Sequence, residues 1–115
     1  MLCLNESITC SQMTDRHEFA PWGSNGGTEG GLGATLVQKA GGESWETMCE
    51  AYGKASSSRY SNVVIRRGDR VRLVTPGGGG YGDPKARAPE AVAEDVNEGY
   101  VSADTARRYY DYQGA

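Results

Sequence analysis

The sequence lacks the features that mark membrane proteins, disulfide scaffolds and nucleic-acid binders. No stretch approaches the about 20 apolar residues of a membrane-spanning helix, and the N-terminal MLCLNESITC has no basic start and no long apolar run. The formal net charge of −3 argues against a general nucleic-acid binder. Cys3, Cys10 and Cys49 are odd in number and show no CxxC spacing, as is typical of reduced thiols. We therefore expect a cytoplasmic protein that binds neither nucleic acid nor membrane.

The chain is also poor in groups that could form an active site on their own. His17 is the only histidine, so no second imidazole can complete a ligand set, and we predict no metal site. A GxSxG motif is absent, and no cysteine stands beside a recognisable base. His17 lies in DRHEF beside acidic residues, where it could be a general base, half of a metal site or an ordinary surface residue.

What is present predicts one small domain with a thin core, because hydrophobic residues make up 37% of the chain and 17 positions are glycine. Residues 8–14 and 34–40 contain β-branched residues and are predicted to be strands. Between them, residues 15–33 form a loop with many glycines. The stretch SWETMCEAYGKA predicts one helical turn.

The stretch NVVIRRGDRVRLVT, residues 62–75, predicts a β-hairpin with Gly68-Asp69 at its turn. Alternation places Val63 and Ile65 on one face, and Val71 and Leu73 on one face across the turn. The RGD tripeptide within it is ordinary turn chemistry in a chain with no sign of export.

The last third changes to a helical pattern. Pro89 suits a first helical position, Gly99 suits a helix end, and Ser102 is a good N-cap for a second helix. Strands followed by helices predict an α+β fold. We divide it into a β-rich region with glycine loops at residues 1–86 and a C-terminal pair of short helices at residues 87–115.

The stretch TPGGGGYGDP, residues 75–84, stands between the predicted hairpin and the helices and is therefore interpreted as a built loop. It could cradle a phosphate through backbone N–H groups, although GxxxxGK[ST] and a GxGxxG opening into a helix are absent. The favoured alternative is a tight structural crossing that Tyr81 packs over and Asp83-Pro84 ends. Trp22 and Tyr81 are predicted to fill the core rather than line a cleft.

Three segments in this order, DRHEFAPWGSNGG, RRGDRVRLVTPGGGGYGDP and RAPEAVAEDVNEGYVSADTARRYY, resemble the C-terminal end of the hydantoinase B/oxoprolinase family. That family includes N-methylhydantoinase B, 5-oxoprolinase and acetone carboxylase-type subunits. Its B-type subunits are several times longer than this chain. The resemblance therefore implies one partial domain of a larger subunit, either a C-terminal domain, a separate small subunit or a fragment.

The resemblance implies hydrolysis of cyclic amides, the ATP-dependent opening of hydantoin or 5-oxoproline rings, within a complex and not by this chain alone. Its partners would be a hydantoinase A-type ATP-binding subunit and the rest of a B-type subunit. No cofactor is expected on this chain, and ATP, with or without a divalent metal, would belong to the partner subunits. Two alternatives stay open: a component of an ATP-dependent acetone or acetophenone carboxylase, and a non-catalytic assembly module or truncated fragment.

No catalytic residue can be assigned from the sequence. The resemblance instead implies residues of a substrate loop or subunit contact, which we predict to be Gly77, Gly78, Gly79, Gly80, Tyr81, Asp83, Asp15, Arg16 and His17.

Overall fold

A computed structural model describes residues 1–114. These residues form five strands, three α-helices and one short 3-10 helix. The strands are β1 (Ser7–Met13), β2 (Ala34–Gln38), β3 (Glu46–Thr47), β4 (Arg59–Arg66) and β5 (Arg70–Val74). The helices are α1 (Met48–Tyr52), the 3-10 turn Pro84–Ala86, α2 (Pro89–Asn97) and α3 (Ala103–Tyr110). A strand-rich first part with two helices at the end confirms the predicted α+β class.

The strands form two antiparallel sheets. β1 pairs with β4, and β2 lies between β3 and β5 in the second sheet. The predicted strands at residues 8–14 and 34–40 are therefore confirmed as β1 and β2, and the predicted helical turn is confirmed as α1. Thr47 and Glu50 form a capping box at the start of α1, which explains why so short a helix has a defined beginning.

The predicted hairpin at residues 62–75 is wrong in its pairing, although its turn is correctly placed. β4 and β5 belong to different sheets. In the turn, the Asp69 N–H donates to the Arg66 carbonyl at 3.0 Å, and Gly68 has φ of +89°. A positive φ at the second central residue alone is the pattern of a type II turn, which splays the flanking strands instead of closing them into a hairpin.

The N-terminal residues occupy the positions that a hairpin partner would have taken. Met1 exchanges two hydrogen bonds with Val71, both 2.7 Å long. Cys3 N–H donates to the Asp69 carbonyl, and Gly68 N–H donates to the Cys3 carbonyl, each at 2.9 Å. The start of the chain thus follows β5 past the turn and continues along β4 as β1.

A β-bulge in β4 sets which side chains enter the core. Cys10 pairs with Val63 and Gln12 pairs with Tyr60, so β4 has one more residue than β1 between these pairs. Asn62 has φ of +55°, a conformation that asparagine tolerates better than most residues. The extra residue brings Tyr60 onto the same buried face as Val63, where simple alternation would have turned it away.

Both sheets contribute to one core. Its buried residues come from the N-terminal segment, α1 and strands β2, β4 and β5, and are Cys3, Val37, Met48, Tyr60, Val63, Ile65 and Val71. The prediction that Val71 and Leu73 share one face agrees with the regular pairing of β5 with β2, but only Val71 enters the core, since 64% of Leu73 is exposed. Val71 lies opposite Val37 of β2, whereas Leu73 lies near the end of the same pairing, opposite Thr35.

The chain forms two compact units, each built from two segments. The first comprises residues 1–21 and 30–78 and contains both sheets and α1. The second comprises residues 22–29 and the chain from Gly79 onward, with α2 and α3. The predicted division between residues 86 and 87 stays a prediction.

The second unit is helical and has a small core in which Val92 and Ala106 are buried. The predicted helix signals are confirmed: Pro89 begins α2, Gly99 follows it with φ of +79°, and the Ser102 side chain caps α3 by accepting the Thr105 N–H at 3.2 Å. No helix within residues 1–114 is long and apolar enough to cross a membrane.

Candidate functional site

Asp15, Arg16 and His17 line one cavity in the first unit, which we call the His17 cavity. Its volume is about 650 Å³, within the ~300–1,000 Å³ range of small-molecule sites. The cavity is lined by residues 14–19 together with Ser56, Ser58 and Arg59. The three upstream residues that the sequence singled out are thus brought together at one concave surface.

The polar groups of the His17 cavity include one exposed ion pair. The Arg59 guanidinium donates to the Asp15 carboxylate at 2.9 Å, and both side chains are largely solvent-exposed. Exposed pairs of this kind contribute little to stability. Arg16 has φ of +62°, and its carbonyl accepts the Gly33 N–H at 2.8 Å, so the backbone of this loop is held to the start of β2.

The His17 ring is packed and hydrogen-bonded on one side. Its Nε2 lies 3.1 Å from the Thr14 hydroxyl oxygen. A Cβ placed on the buried Gly33 would lie 3.0 Å from His17 Cδ2 and 3.2 Å from both His17 Nε2 and Pro76 Cδ. Gly33 therefore permits the close approach of the imidazole, and any side chain there would move the ring.

A series of hydrogen-bonded polar side chains connects Thr14 to the core. Gln12 Nε2 donates to the hydroxyl groups of Thr14 and Thr35, at 3.2 and 2.8 Å. Gln12 Oε1 accepts the Tyr60 hydroxyl at 2.6 Å. Burial of Tyr60, with a further contribution from the nearby Cys10 thiol, raises the pKa of its hydroxyl well above the ordinary tyrosine value. Tyr60 therefore remains a neutral donor at physiological pH.

The first half of the glycine run lies against the upstream glycine loop within the first unit. Gly77 N–H donates to the Gly31 carbonyl at 2.9 Å. Gly30 N–H donates to the Pro21 carbonyl at 2.8 Å, and a Cβ on Gly30 would collide with the carbonyl of Gly78. Backbone therefore packs against backbone here, as expected of a built loop rather than a flexible linker.

The second half of the run makes the corresponding contacts inside the second unit. Ser24 N–H donates to the Gly80 carbonyl and Gly82 N–H donates to the Ser24 carbonyl, both at 2.9 Å. A Cβ on Gly79 would collide with the carbonyl of Trp22, and one on Gly27 would collide with the carbonyl of Gly80. These glycines are required because two loops cross with no space between them for side chains.

The predicted positions of Trp22 and Tyr81 in the core are wrong, since the two residues are 72% and 81% exposed. The Tyr81 side chain instead reaches the upstream glycine loop, where its hydroxyl accepts a hydrogen bond from Asn25 Nδ2 at 2.7 Å. It lines a second cavity of about 470 Å³, which we call the glycine-loop cavity. The alternative interpretation, in which these aromatic residues line a cleft, therefore describes Tyr81 correctly. The lining residues are Gly27, Thr28, residues 80–84, Ala86, Arg87 and Tyr110.

Asp83 ends the glycine loop as an N-cap. Its carboxylate accepts the Lys85 N–H at 2.9 Å at the start of the 3-10 turn. A phosphate at this turn would meet that carboxylate, and the amide it would bind already has a partner. The Asp83 end of the glycine-loop cavity therefore does not suit a phosphate of ATP.

The predicted site residues fall into two groups, one in each unit. The His17 cavity brings together Asp15, Arg16 and His17, and the glycine-loop cavity brings together Gly80, Tyr81 and Asp83. Of the remaining three, Gly77 and Gly78 lie in the first unit and Gly79 in the second. Within residues 1–114, no three His, Cys, Asp or Glu side chains come close enough to hold a metal ion.

Sequence reasoning missed the residues that support His17. The pattern indicates Gln12 and Thr14 only as strand residues, and Gly33 only as a loop residue. Their contacts join positions up to 48 residues apart, such as Gln12 and Tyr60, so local pattern could not have indicated them. The DR dipeptide before His17 was the one available signal.

Several relatives align with this chain over most of its length. An uncharacterized protein of Methanocaldococcus jannaschii is 35% identical over 100 residues, covering 87% of this chain and 16% of its own. A protein from a Pseudomonas strain, named as the putative B component of a D-/L-hydantoinase, is 33% identical over 92 residues, covering 80% of this chain and 14% of its own. The chain thus spans about a sixth of the length of these relatives.

The beta component of a caprolactamase from Pseudomonas jessenii is 56% identical over 48 residues, covering 42% of this chain and 8% of its own. Among solved structures, an ATP-dependent caprolactamase from the same organism aligns with a TM-score of 0.41 at 23% identity, covering 91% of this chain and 23% of that one.

The family profile described as hydantoinase B/oxoprolinase matches residues 1–84, which is most of the chain and includes the whole TPGGGGYGDP stretch. This chain belongs to the hydantoinase B/oxoprolinase family.

Proposed function

We propose that this chain is part of the B-type subunit of a hydrolase that opens cyclic amides, in a complex whose ATP-binding subunit is of the A type. The family profile across residues 1–84 carries this proposal. Two relatives point to the reaction class, because one is named as a putative hydantoinase subunit and the other as a caprolactamase subunit. Hydantoins and caprolactam share a ring amide bond.

In this proposal the chain supplies a wall of the site rather than the nucleophile. The His17 cavity offers guanidinium, imidazole and hydroxyl groups at one concave surface. The glycine-loop cavity offers an exposed tyrosine beside bare backbone, which suits close approach by a ligand or by a partner subunit. ATP-dependent activation of the amide would take place on the partner subunit.

The test is turnover by the assembled complex. The chain would be combined with an A-type subunit and the rest of a B-type subunit, and ATP-dependent ring opening would be measured with hydantoin, 5-oxoproline and caprolactam. We expect at least one of these rings to open only when this chain is present. Ring opening that is equal without the chain would contradict the proposal.

The same assay separates the proposed hydrolase from a ketone carboxylase. ATP turnover that requires bicarbonate and a ketone, with no ring opening, would assign the complex to the carboxylase class. ATP turnover that depends on a cyclic amide and is indifferent to bicarbonate would support the hydrolase.

A further inference from the structure

The side chains around His17 determine which of its two ring nitrogens carries a proton. We propose that His17 is held as the Nε2–H tautomer, and that its Nδ1 accepts a hydrogen bond from the ring N–H of a cyclic amide bound in the His17 cavity. The tautomer follows from contacts within the first unit. The identity of the ligand rests on the proposed function.

The tautomer follows from the partners of the Thr14 hydroxyl. That hydroxyl has one proton and donates it to the Ser58 carbonyl at 3.1 Å. Its lone pairs then accept from Gln12 Nε2 at 3.2 Å and from His17 Nε2 at 3.1 Å. If Thr14 instead donated to His17, its oxygen would face the Ser58 carbonyl oxygen with no proton between them. His17 Nε2 is therefore the donor.

The orientation of Gln12 supports this assignment. Its Oε1 accepts the hydroxyl of Tyr60, whose raised pKa keeps the proton on that oxygen. Its Nε2 then carries both amide protons, one toward Thr35 and one toward Thr14. Thr14 thus accepts a hydrogen bond from Gln12 and donates its own proton to the Ser58 carbonyl, so it has no proton to donate to His17.

A neutral imidazole that donates through Nε2 has a lone pair on Nδ1. Among the described residues, Nδ1 has no hydrogen-bonding partner at all. Gly33 packs against the Cδ2–Nε2 edge of the ring, the same edge that faces Thr14, so packing and the hydrogen bond together hold Nε2 toward Thr14. The result is a positioned acceptor on a residue that lines the His17 cavity.

The His17 cavity also contains a hydrogen-bond donor for the carbonyl group of an amide. Arg59 uses one terminal nitrogen to bind Asp15, and a guanidinium has five N–H groups in total. It can therefore also donate to a carbonyl oxygen. An acceptor for N–H and a donor for C=O among the residues that line one cavity match a secondary ring amide. His17 acts here as a binding and positioning residue, and no covalent step is assigned to it.

His17 is the only histidine, so its ring nitrogens can be observed by NMR without ambiguity of assignment. Long-range ¹H–¹⁵N spectra recorded at about pH 8 show directly which ring nitrogen carries the proton. We expect Nε2 to be the protonated nitrogen in the intact chain. A spectrum that shows Nδ1–H as the main form would overturn the proposal.

Thr14→Val tests the cause of this preference, because it removes the hydroxyl and keeps the shape of the side chain. We expect the variant to show a mixture of both tautomers. Thr9→Val is the matched control, since Thr9 lies on β1 with an exposed side chain, and it should leave the Nε2–H form unchanged. An unchanged tautomer in Thr14→Val would show that the hydrogen-bonded chain does not control His17.

The ligand is tested with a pair of five-membered lactams that differ by one group, pyrrolidin-2-one and its N-methyl derivative. We expect the first to shift the Nδ1 resonance, and the second to bind about tenfold more weakly with no such shift, because methylation removes the N–H. Equal responses to both lactams, or no response to either, would refute the assignment of the ligand.

Failure here is distinguishable from failure of the proposed function. Lactam discrimination at His17 without turnover in the assembled complex would leave the binding role standing and remove the hydrolase assignment. Ring opening by the complex that is unaffected by His17→Gln would support the hydrolase and remove the role of His17.

Discussion

The turn that contains the RGD tripeptide is stabilised by one buried carboxylate, that of Asp69. Asp69 is only 4% exposed, and its two oxygens accept the Arg66 N–H at 3.0 Å and the Ala40 N–H at 2.9 Å. The side chain therefore joins the turn between β4 and β5 to the residue Ala40, which lies beyond the end of β2. A side chain so occupied is unavailable to a partner, so the tripeptide has a structural role.

We expect Asp69→Ala to lower the free energy of unfolding by about 2–4 kcal/mol, because it leaves two partly buried backbone N–H groups without their acceptor. Asp15→Ala is the control, since it removes an exposed carboxylate from an ion pair and should cost about 0–1 kcal/mol. Urea unfolding of both variants would measure the difference. Equal costs would show that the Asp69 hydrogen bonds contribute nothing beyond surface charge.

Because of Tyr60, the free energy of unfolding should depend on pH in the alkaline range. The folded state raises the pKa of its hydroxyl above the ordinary value of 10.0, so the stabilisation is present below about pH 10 and is lost as pH rises beyond it. We expect Tyr60→Phe to be about 1 kcal/mol less stable near pH 8. That gap should narrow between about pH 9 and about pH 11, and a gap that is constant or widens across this interval would contradict the shift.

At the scale of an element, two alanine substitutions in the glycine run test whether its residues are equivalent. A Cβ on Gly79 would collide with the Trp22 carbonyl, whereas one on Gly78 would meet nothing within 4 Å. We expect Gly79→Ala to cost about 1–3 kcal/mol through overpacking. Gly78→Ala should be neutral or slightly stabilising, by up to about 1 kcal/mol, because it restricts the unfolded chain.

Urea unfolding, together with the indole resonance of Trp22, would show both effects. Similar losses in both variants would mean that the run is needed for its flexibility and not for the crossing at Gly79. If Gly78→Ala keeps its stability but lowers turnover of the assembled complex, position 78 faces a ligand or partner.

The turn between β4 and β5 shows the limit of local prediction for whole elements. The strand pattern and the site of the turn were predictable from residues 62–75. The pairing was not, because a type II turn and a paired N-terminal segment decide it, and both are recognised only in three dimensions. The face that Tyr60 occupies was not predictable either, because the bulge at Asn62 adds one residue to β4 and so changes that face.

At the scale of the whole molecule, we predict that the protein works in an assembly. Native mass spectrometry of the chain purified at its natural level should find it together with large A-type and B-type polypeptides. Asp83→Ala, which removes the cap after the glycine loop, separates the two possible roles of that loop. If the loop only binds a partner, the variant should associate about tenfold more weakly and retain full turnover per assembled complex.

Reduced turnover per assembled complex, at unchanged association, would instead place the glycine loop beside the reacting substrate. A chain found only by itself would contradict the assembly and favour the interpretation as a fragment.

The sequence by itself determined the family, the α+β class, the positions of most strands and helices and the order of the glycine motifs. These properties depend on local periodicity, on capping residues and on a distinctive motif, all of which are read within a few residues. Tertiary structure alone decided strand pairing, the exposure of Trp22, Leu73 and Tyr81, and the support of His17 by Thr14 and Gly33. The reason is physical: each of these depends on atoms that are distant along the chain and meet only when the two sheets and the loops are in place.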